Sequence, residues 1–193
     1  MSPTPHVREG PPLSGFDAMA QLHGLAEHIH RTADDMPLTG PAHAVGDSLD
    51  ELEDHVRDIA GLIVHVTGAA AAADREARSH PGVQNEAARR RATALTHAAG
   101  TLGRALADLA EAVTHFGVLH HAAALPRSPP LARVRDTSRS LLRTRLDRAR
   151  EHLHEAGRQL QHDAAQLSPP ITPRPTSVPA AAPEAAPTAA RRR

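Results

Sequence analysis

Apolar side chains recur every three or four residues along two long stretches of the chain. The first run extends from Val45 to Ala77 and the second from Ala88 to Ala123, with His120 as its one polar step. An average spacing of 3.5 residues keeps side chains on one edge of an α-helix, where partner helices cover them. The pattern therefore predicts two long helices that pack lengthwise against partners.

Two further periodic stretches lie outside these runs. Leu22, Leu25 and Ile29 mark one side of a first helix, and a run from Leu142 to Leu167 marks the second half of a fourth. Segments rich in proline and glycine separate the periodic stretches and end the helices. The predicted helices span about residues 15–36, 47–79, 83–124 and 131–167.

The connections between the predicted helices are short, which favours antiparallel neighbours. The fold class that we predict is all-α, an elongated antiparallel four-helix bundle with coiled-coil-like seams. Residues 14–167 are expected to form this bundle. Residues 1–13 are expected to be a flexible arm, and residues 168–193 a disordered tail rich in proline and alanine.

The first half of the fourth helix does not fit the seam of its second half. Extending that register backwards places Arg135 and Arg139 on the core side, where a charge is costly. Two arrangements avoid this cost. In one, the segment projects beyond the bundle. In the other, the apolar side shifts to a different set of residues: Leu131, Val134, Ser138 and Leu141.

The composition removes several kinds of chemistry. The chain has no Cys, Trp or Tyr, and all 22 of its Lys and Arg residues are Arg. Without Cys there are no thiolate nucleophiles or cysteine-based zinc sites, and without Lys there is no P-loop lysine or Schiff base. Glycine-rich nucleotide motifs, a serine nucleophile elbow and a His-Glu-x-x-His helix are also missing. We therefore predict a protein that is not an enzyme and has no cofactor.

The net charge is zero, but the two signs are separated along the chain. Residues 1–74 carry an excess of nine negative charges, and residues 75–193 an excess of nine positive charges. Seven arginines concentrate in the fourth helix: Arg133, Arg135, Arg139, Arg143, Arg145, Arg148 and Arg150. We expect them to pair with the acidic second helix within one molecule. The alternative is that they bind nucleic-acid phosphates, with salt-sensitive affinity and no sequence preference.

A possible metal-binding pattern occurs on the first and fourth helices. The tetrapeptides Glu27–His30 and Glu151–His154 share the sequence Glu-His-x-His. Each contains Glu-x-x-His, the spacing that ferritin-like di-iron bundles use on two of their helices. In these eight residues the chain resembles ferritin-like proteins, and the resemblance implies further ligands from Glu51 or Glu53 and from Glu111.

The seams argue against such a metal centre. Ile29 and Leu153 occupy core positions, so the neighbouring His30 and His154 lie about 100° away around their helices. Ligands of a metal at the bundle centre must point inward, and we therefore predict no bound metal. The same reasoning places nearly all of the 15 histidines on the surface, with His120 at a seam position as the exception.

A bundle without a recognisable catalytic site points to binding as its function. We predict a protein-interaction or self-association module that uses the arginines of the fourth helix, with an unidentified protein or a second copy as its partner. Apolar residues outside the seams would extend this surface if they are exposed: Leu62, Val64, Val118 and Leu119. A nucleic-acid accessory protein is the alternative function, and a His/Glu metal-binding bundle is a third.

The expected location follows from what the sequence lacks. The first residues show no signal-peptide pattern. The least polar stretch, residues 59–73, is shorter than the roughly 20 residues that cross a bilayer. We predict a cytoplasmic protein with no membrane span.

Overall fold

A computed structural model describes residues 15–36, 49–79, 83–126 and 128–167. These residues form four helices: α1 (Gly15–Asp35), α2 (Leu49–Ser79), α3 (Val83–Ala123) and α4 (Pro129–Leu167). The predicted all-α four-helix bundle is confirmed, and the described ranges contain no strand. The predicted arm and tail and the first seam residue, Val45, lie outside the described residues.

The helices contact one another in the order α2, α3, α4, α1 around the bundle. Neighbours run antiparallel. His30 of α1 meets His154 of α4, whereas Met36, further along the chain, meets Arg150, which comes earlier in α4. The fourth side, between α1 and α2, has few contacts, and an open cavity of about 380 Å³ lies there. The bundle is therefore closely packed on three sides and open on one.

Leucine and isoleucine fill the centre of the core. Leu22, Ile29, Leu102 and Leu153 are completely buried, as the seams predict. Burial of a side chain of this size contributes about 1.5–3 kcal/mol relative to its exposure to water. Alanines occupy many of the other inward positions, where their small size lets the helices approach closely: Ala98, Ala105, Ala149 and Ala156.

The buried side of α3 differs from the predicted seam at alternate steps. Ala98 and Ala105 are buried, whereas Ala99 and Leu106, which the spacing favours, are only partly buried. The reason is that α3 packs against α2 on one side and against α4 on the other. A helix with two neighbours buries a wider stripe than a single seam describes.

The start of α4 also differs from the prediction, by two residues. Pro129 and Pro130 are expected to precede the helix, but they form its first turn. Proline is favoured there because its fixed φ is already helical and the N–H that it lacks has no acceptor within the helix. The N–H of Ala132 donates to the carbonyl oxygen of Ser128 at 3.0 Å and closes that turn.

At one end of the bundle α4 extends beyond α1. Met36, directly after α1, accepts a hydrogen bond from Arg150 through its carbonyl oxygen. Because the two helices are antiparallel, residues 129–149 of α4 continue past the end of α1. We call this part the projecting segment of α4.

The start of α2 can be placed along α3 in the same way. Glu76 of α2 pairs with Arg91 of α3, and Leu49 lies 27 residues before Glu76. Counting 27 residues onward from Arg91 brings Leu49 level with residue 118 of α3, since both helices rise equally per residue. Beyond that level α4 is the only described helix that packs against α3. The prediction of a buried His120 is therefore wrong, and this residue is exposed.

Candidate interaction surface and histidine pair

The projecting segment of α4 carries a line of side chains on its water-facing side. Its members lie alternately three and four residues apart and are all exposed: Val134, Thr137, Leu141, Thr144 and Arg148. We call this line the outer seam of α4. This spacing holds side chains on one edge of a helix. Val134 is 45% exposed and Leu141 39%, so the outer seam presents apolar surface to water.

This geometry decides between the two arrangements considered for the first half of α4. Ser138 faces the interior, while Val134 and Leu141 do not. The segment thus extends beyond α1 but stays packed on α3, with Ser138 and Leu142 buried, and the apolar side does not shift to Val134 and Leu141. Of the apolar residues outside the predicted seams, Val64 and Val118 are exposed. The other two, Leu62 and Leu119, are buried or packed against the core.

A second exposed line runs along α2. It follows the same alternating spacing, with acidic residues at the start and small or apolar ones later: Asp50, Asp54, Arg57, Gly61, Val64, Gly68 and Ala71. We call it the outer seam of α2. Arg57 bonds to Asp54 and to Glu53 within the helix. Val64 is 72% exposed, the largest exposed fraction among the large apolar side chains described.

The length and apolar composition of α2 meet a criterion for membrane-spanning helices. Within the described part of the chain one helix, Asp50–Ser79, is long and apolar enough to cross a bilayer, and only 22% of its most apolar window is buried. Core helices of soluble proteins pass the same test. The low burial shows that much of the apolar surface of α2 faces outward, and the absence of a membrane span stays a prediction.

Arg145 joins α4 to the acidic residues of α3. Its guanidinium group bonds to Asp108 Oδ1 at 2.8 Å and to Glu111 Oε2 at 2.7 Å. The hydrogen bond to Asp108, aided by the charge of Glu111, raises the pKa of Arg145 above its usual value. A raised pKa stabilises the folded state at every pH below the arginine range, and this contribution is lost only in strong alkali.

Two other arginines of α4 bind the ends of neighbouring helices. Arg150 donates to the carbonyl oxygens of Ala33 at 3.2 Å and of Met36 at 2.6 Å, where α1 ends. Arg135 donates to the carbonyl oxygen of Ala122 in the last turn of α3. The last carbonyl groups of a helix have no intrahelical donor and carry partial negative charge, so a guanidinium group stabilises them.

The expectation that the arginine cluster pairs with α2 is wrong for the arginines whose ion-pair partners the structure shows. Arg145 pairs with α3, and Arg139 and Arg150 pair with aspartates of their own helix. Sequence reasoning failed because it compared the net charge of whole helices, whereas α2 and α4 are not neighbours in the bundle. Arg133 and Arg148 are exposed.

The two Glu-His-x-His tetrapeptides meet at the interface between α1 and α4. The Nδ1 atoms of His30 and His154 lie 3.3 Å apart, and their rings are tilted by 33°. On the other side of its ring, His154 Nε2 lies 3.7 Å from Asp34 Oδ1. Both histidines are partly buried. They lie off the bundle centre, as the seams predict, but they face each other.

A glycine of α4 makes room for this pair. A Cβ atom on Gly157 would lie 2.6 Å from two ring atoms of His30, closer than such atoms approach in proteins. At the other helical glycines described, nothing lies within 4 Å of the corresponding position. Sequence reasoning missed Gly157, because a lone glycine within a helix gives no signal of the ring that it accommodates.

The remaining residues of the ferritin-like pattern do not assemble. His152 lies 3.5 Å from Asp108, Glu111 pairs with Arg145, and Glu53 pairs with Arg57. In the described ranges, no group of three or more histidine, aspartate or glutamate side chains could hold a metal ion. A ferritin-like di-metal centre is therefore not formed by these residues.

Comparisons with protein-family models, with curated proteins and with solved structures found no match to this chain. The class of the protein is thus defined by its own fold, an all-α four-helix bundle. Its distinguishing features are the two outer seams and the histidine pair between α1 and α4.

Proposed function

We propose that this protein is a non-enzymatic self-association module, in which the outer seam of α4 packs on the outer seam of α2 of a second copy. The observation that carries the proposal is the presence of these two exposed lines with helix-packing periodicity. Within one molecule they belong to helices that lie diagonally across the bundle and are not neighbours.

The apolar residues of the two seams favour helix packing. Val134 and Leu141 lie seven residues apart on one edge of α4, which is the repeat of a coiled-coil seam. On α2, Gly61 and Gly68 are also seven residues apart and flank Val64. Small residues there allow another helix to approach closely, and burial of Val134 and Leu141 supplies the hydrophobic driving force.

The charges of the two seams are complementary. Exposed Arg133 and Arg148 lie close to the two ends of the outer seam of α4, and exposed Asp50 and Asp54 form the acidic start of the outer seam of α2. Exposed ion pairs contribute little to affinity, but they select partner and orientation. A second copy supplies the matching charges, so the chain carries both halves of the interface.

The position of the seams allows a closed dimer. Leu49 lies level with residue 118 of α3, and Arg135 contacts Ala122 of the same helix, so both seams lie at the same end of the bundle. Two copies related by a twofold axis can then exchange the contact in both directions.

The test measures molar mass by light scattering during size-exclusion chromatography of the full chain. We expect a dimer that dissociates on dilution, and Leu141→Glu should convert it to a monomer because a carboxylate replaces buried apolar surface. Phe16→Glu is the matched control, since Phe16 is 71% exposed but lies on α1 at the opposite end of the bundle. A wild-type protein that stays monomeric at high concentration would refute the proposal.

A charge exchange tests the identity of the partner surfaces. The double variants Arg133→Glu/Arg148→Glu and Asp50→Arg/Asp54→Arg should each be monomeric, because like charges then face each other. Their mixture should form a heterodimer, since both contacts are again between opposite charges. If each double variant on its own dimerises as strongly as the wild type, the interface lies elsewhere.

Nucleic acid is the alternative ligand of the basic surface, and a DNA-binding assay with the same protein tests it. If the chain is monomeric and is retained on duplex DNA at low salt, with affinity that falls steeply as salt rises, the arginines bind phosphates and the proposal is wrong. We expect no such retention, because Arg135, Arg145 and Arg150 are already held in intramolecular contacts.

A further inference from the structure

We propose that His30 and His154 bind a single divalent zinc-type cation that links α1 to α4. The site is distinct from the outer seams and does not depend on self-association. It is also unlike a ferritin-like centre, because it uses one histidine of each tetrapeptide and lies at the edge of the bundle.

The distance between the two ring nitrogens fits shared coordination. Zinc bonds to imidazole nitrogen at roughly 2.0–2.1 Å with tetrahedral angles, which places two such nitrogens about 3.3 Å apart. The observed distance between the Nδ1 atoms of His30 and His154 is 3.3 Å. The same distance allows a hydrogen bond when one ring carries its proton on Nδ1, and the zinc titration below distinguishes the two arrangements.

The surroundings of the pair hold it in this arrangement. Gly157 leaves space for the ring of His30, whose Cε1 and Nε2 atoms lie 2.6 Å from the position that a Cβ would take. Asp34 lies beside His154 on the side of the ring away from His30. A carboxylate in this position orients a metal-binding imidazole and favours the proton on Nε2, which leaves Nδ1 free to coordinate.

Water completes the coordination. The side chain of His154 is 31% exposed, so solvent reaches the pair. Two protein ligands with water in the remaining positions give an exchangeable ion and weaker binding than a closed four-ligand site. The ion would hold α1, which has few contacts with α2, more firmly against α4.

The test is a calorimetric titration of the full, untagged chain with zinc chloride. We expect one zinc ion per chain, and a melting temperature that rises with zinc concentration because the ion binds only the folded arrangement. His30→Ala and His154→Ala should each abolish this binding step. Asp34→Asn should weaken it by about tenfold, the usual effect of removing an orienting carboxylate.

Gly157→Ala tests the geometry without removing a ligand. The new methyl group displaces the ring of His30, so zinc binding should be lost while the helix content is retained. Gly103→Ala is the matched control, since it makes the same change on an exposed helical position with nothing within 4 Å. It should bind zinc as the wild type does.

Zinc binding at other histidines is the main process that could be mistaken for binding at His30 and His154. The variant His23→Ala/His97→Ala removes two exposed histidines and should leave the one-to-one step unchanged. If His30→Ala/His154→Ala binds zinc with wild-type affinity, or if the wild type binds none, the proposal is wrong.

Discussion

Arginine side chains that form one basic run in the sequence have three different environments in the structure. Arg145 bridges to acidic residues of α3, and Arg135 and Arg150 bind carbonyl groups at helix ends. Arg133 and Arg148 face water beside the outer seam of α4. Arg139 is also exposed, beside Asp136 of its own helix. Because three of the seven arginines are held in contacts with α1 or α3, the basic surface open to a partner is smaller than the charge pattern suggests.

A buried ion pair between α2 and α3 gives a prediction at this scale. Arg91 is 3% exposed and pairs with Glu76. Glu76→Ala should reduce the free energy of unfolding by about 3–5 kcal/mol, because it leaves a buried charge without its partner. The double variant Arg91→Met/Glu76→Leu should recover most of this loss, because it buries apolar groups instead.

Urea denaturation followed by circular dichroism measures both variants, a suitable method for a chain without Trp or Tyr. A double variant less stable than Glu76→Ala would show that the pair contributes net stability. Glu76→Ala with wild-type stability would show that Arg91 is solvated in solution.

At the scale of the element, α4 shows how one helix serves two surfaces. Its inner seam, with Leu146 and Leu153, is visible in the sequence and is buried as predicted. Its outer seam has the same spacing, but it contains Thr and Arg at several positions, so a search for apolar repeats in the sequence does not detect it. The sequence contains this second pattern, and it stays uncovered because α3 and α1 pack on other sides of α4.

The glycines of α3 give a prediction for the stability of an element. Gly103→Ala should raise the free energy of unfolding by about 1 kcal/mol, since alanine favours the helical backbone and the site has open space. For a chain of this length the melting temperature should rise by about 2–4 °C. Thermal unfolding followed by circular dichroism measures this, and a lower melting temperature would indicate that the backbone at Gly103 is not regular helix.

At the scale of the whole molecule, the helices of unequal length divide the bundle into regions of different stability. Level with residues 95–107 of α3 the chain is packed from several sides, and beyond residue 118 only α3 and α4 remain in contact among the described residues. Local opening should be easier where fewer helices pack together.

Hydrogen exchange followed by mass spectrometry checks this division. In dilute protein, amides of residues 118–123 and 129–138 should exchange well before those of residues 95–109, because fewer buried contacts hold them. At high concentration the projecting segment of α4 should gain protection if copies associate there. Uniform protection along α3 in dilute protein would contradict the division.

The sequence by itself determined the helices and their inner surfaces. The 3.5-residue spacing identifies core residues such as Leu102 and Leu153, because a regular repeat needs no knowledge of distant contacts. Prolines and glycines set the approximate ends, and the error at Pro129 arose because proline both precedes and begins helices. The resemblance of the two tetrapeptides is also visible in the sequence.

Only the tertiary structure decided which charged and polar groups meet. The contact of His30 with His154, the space at Gly157 and the pairing of Arg145 with α3 depend on the order of the helices around the bundle and on their relative shift along its axis. Periodicity gives the side of a helix that is buried, but it specifies neither the neighbour nor the level at which two helices touch. Both depend on the packing of all four helices together.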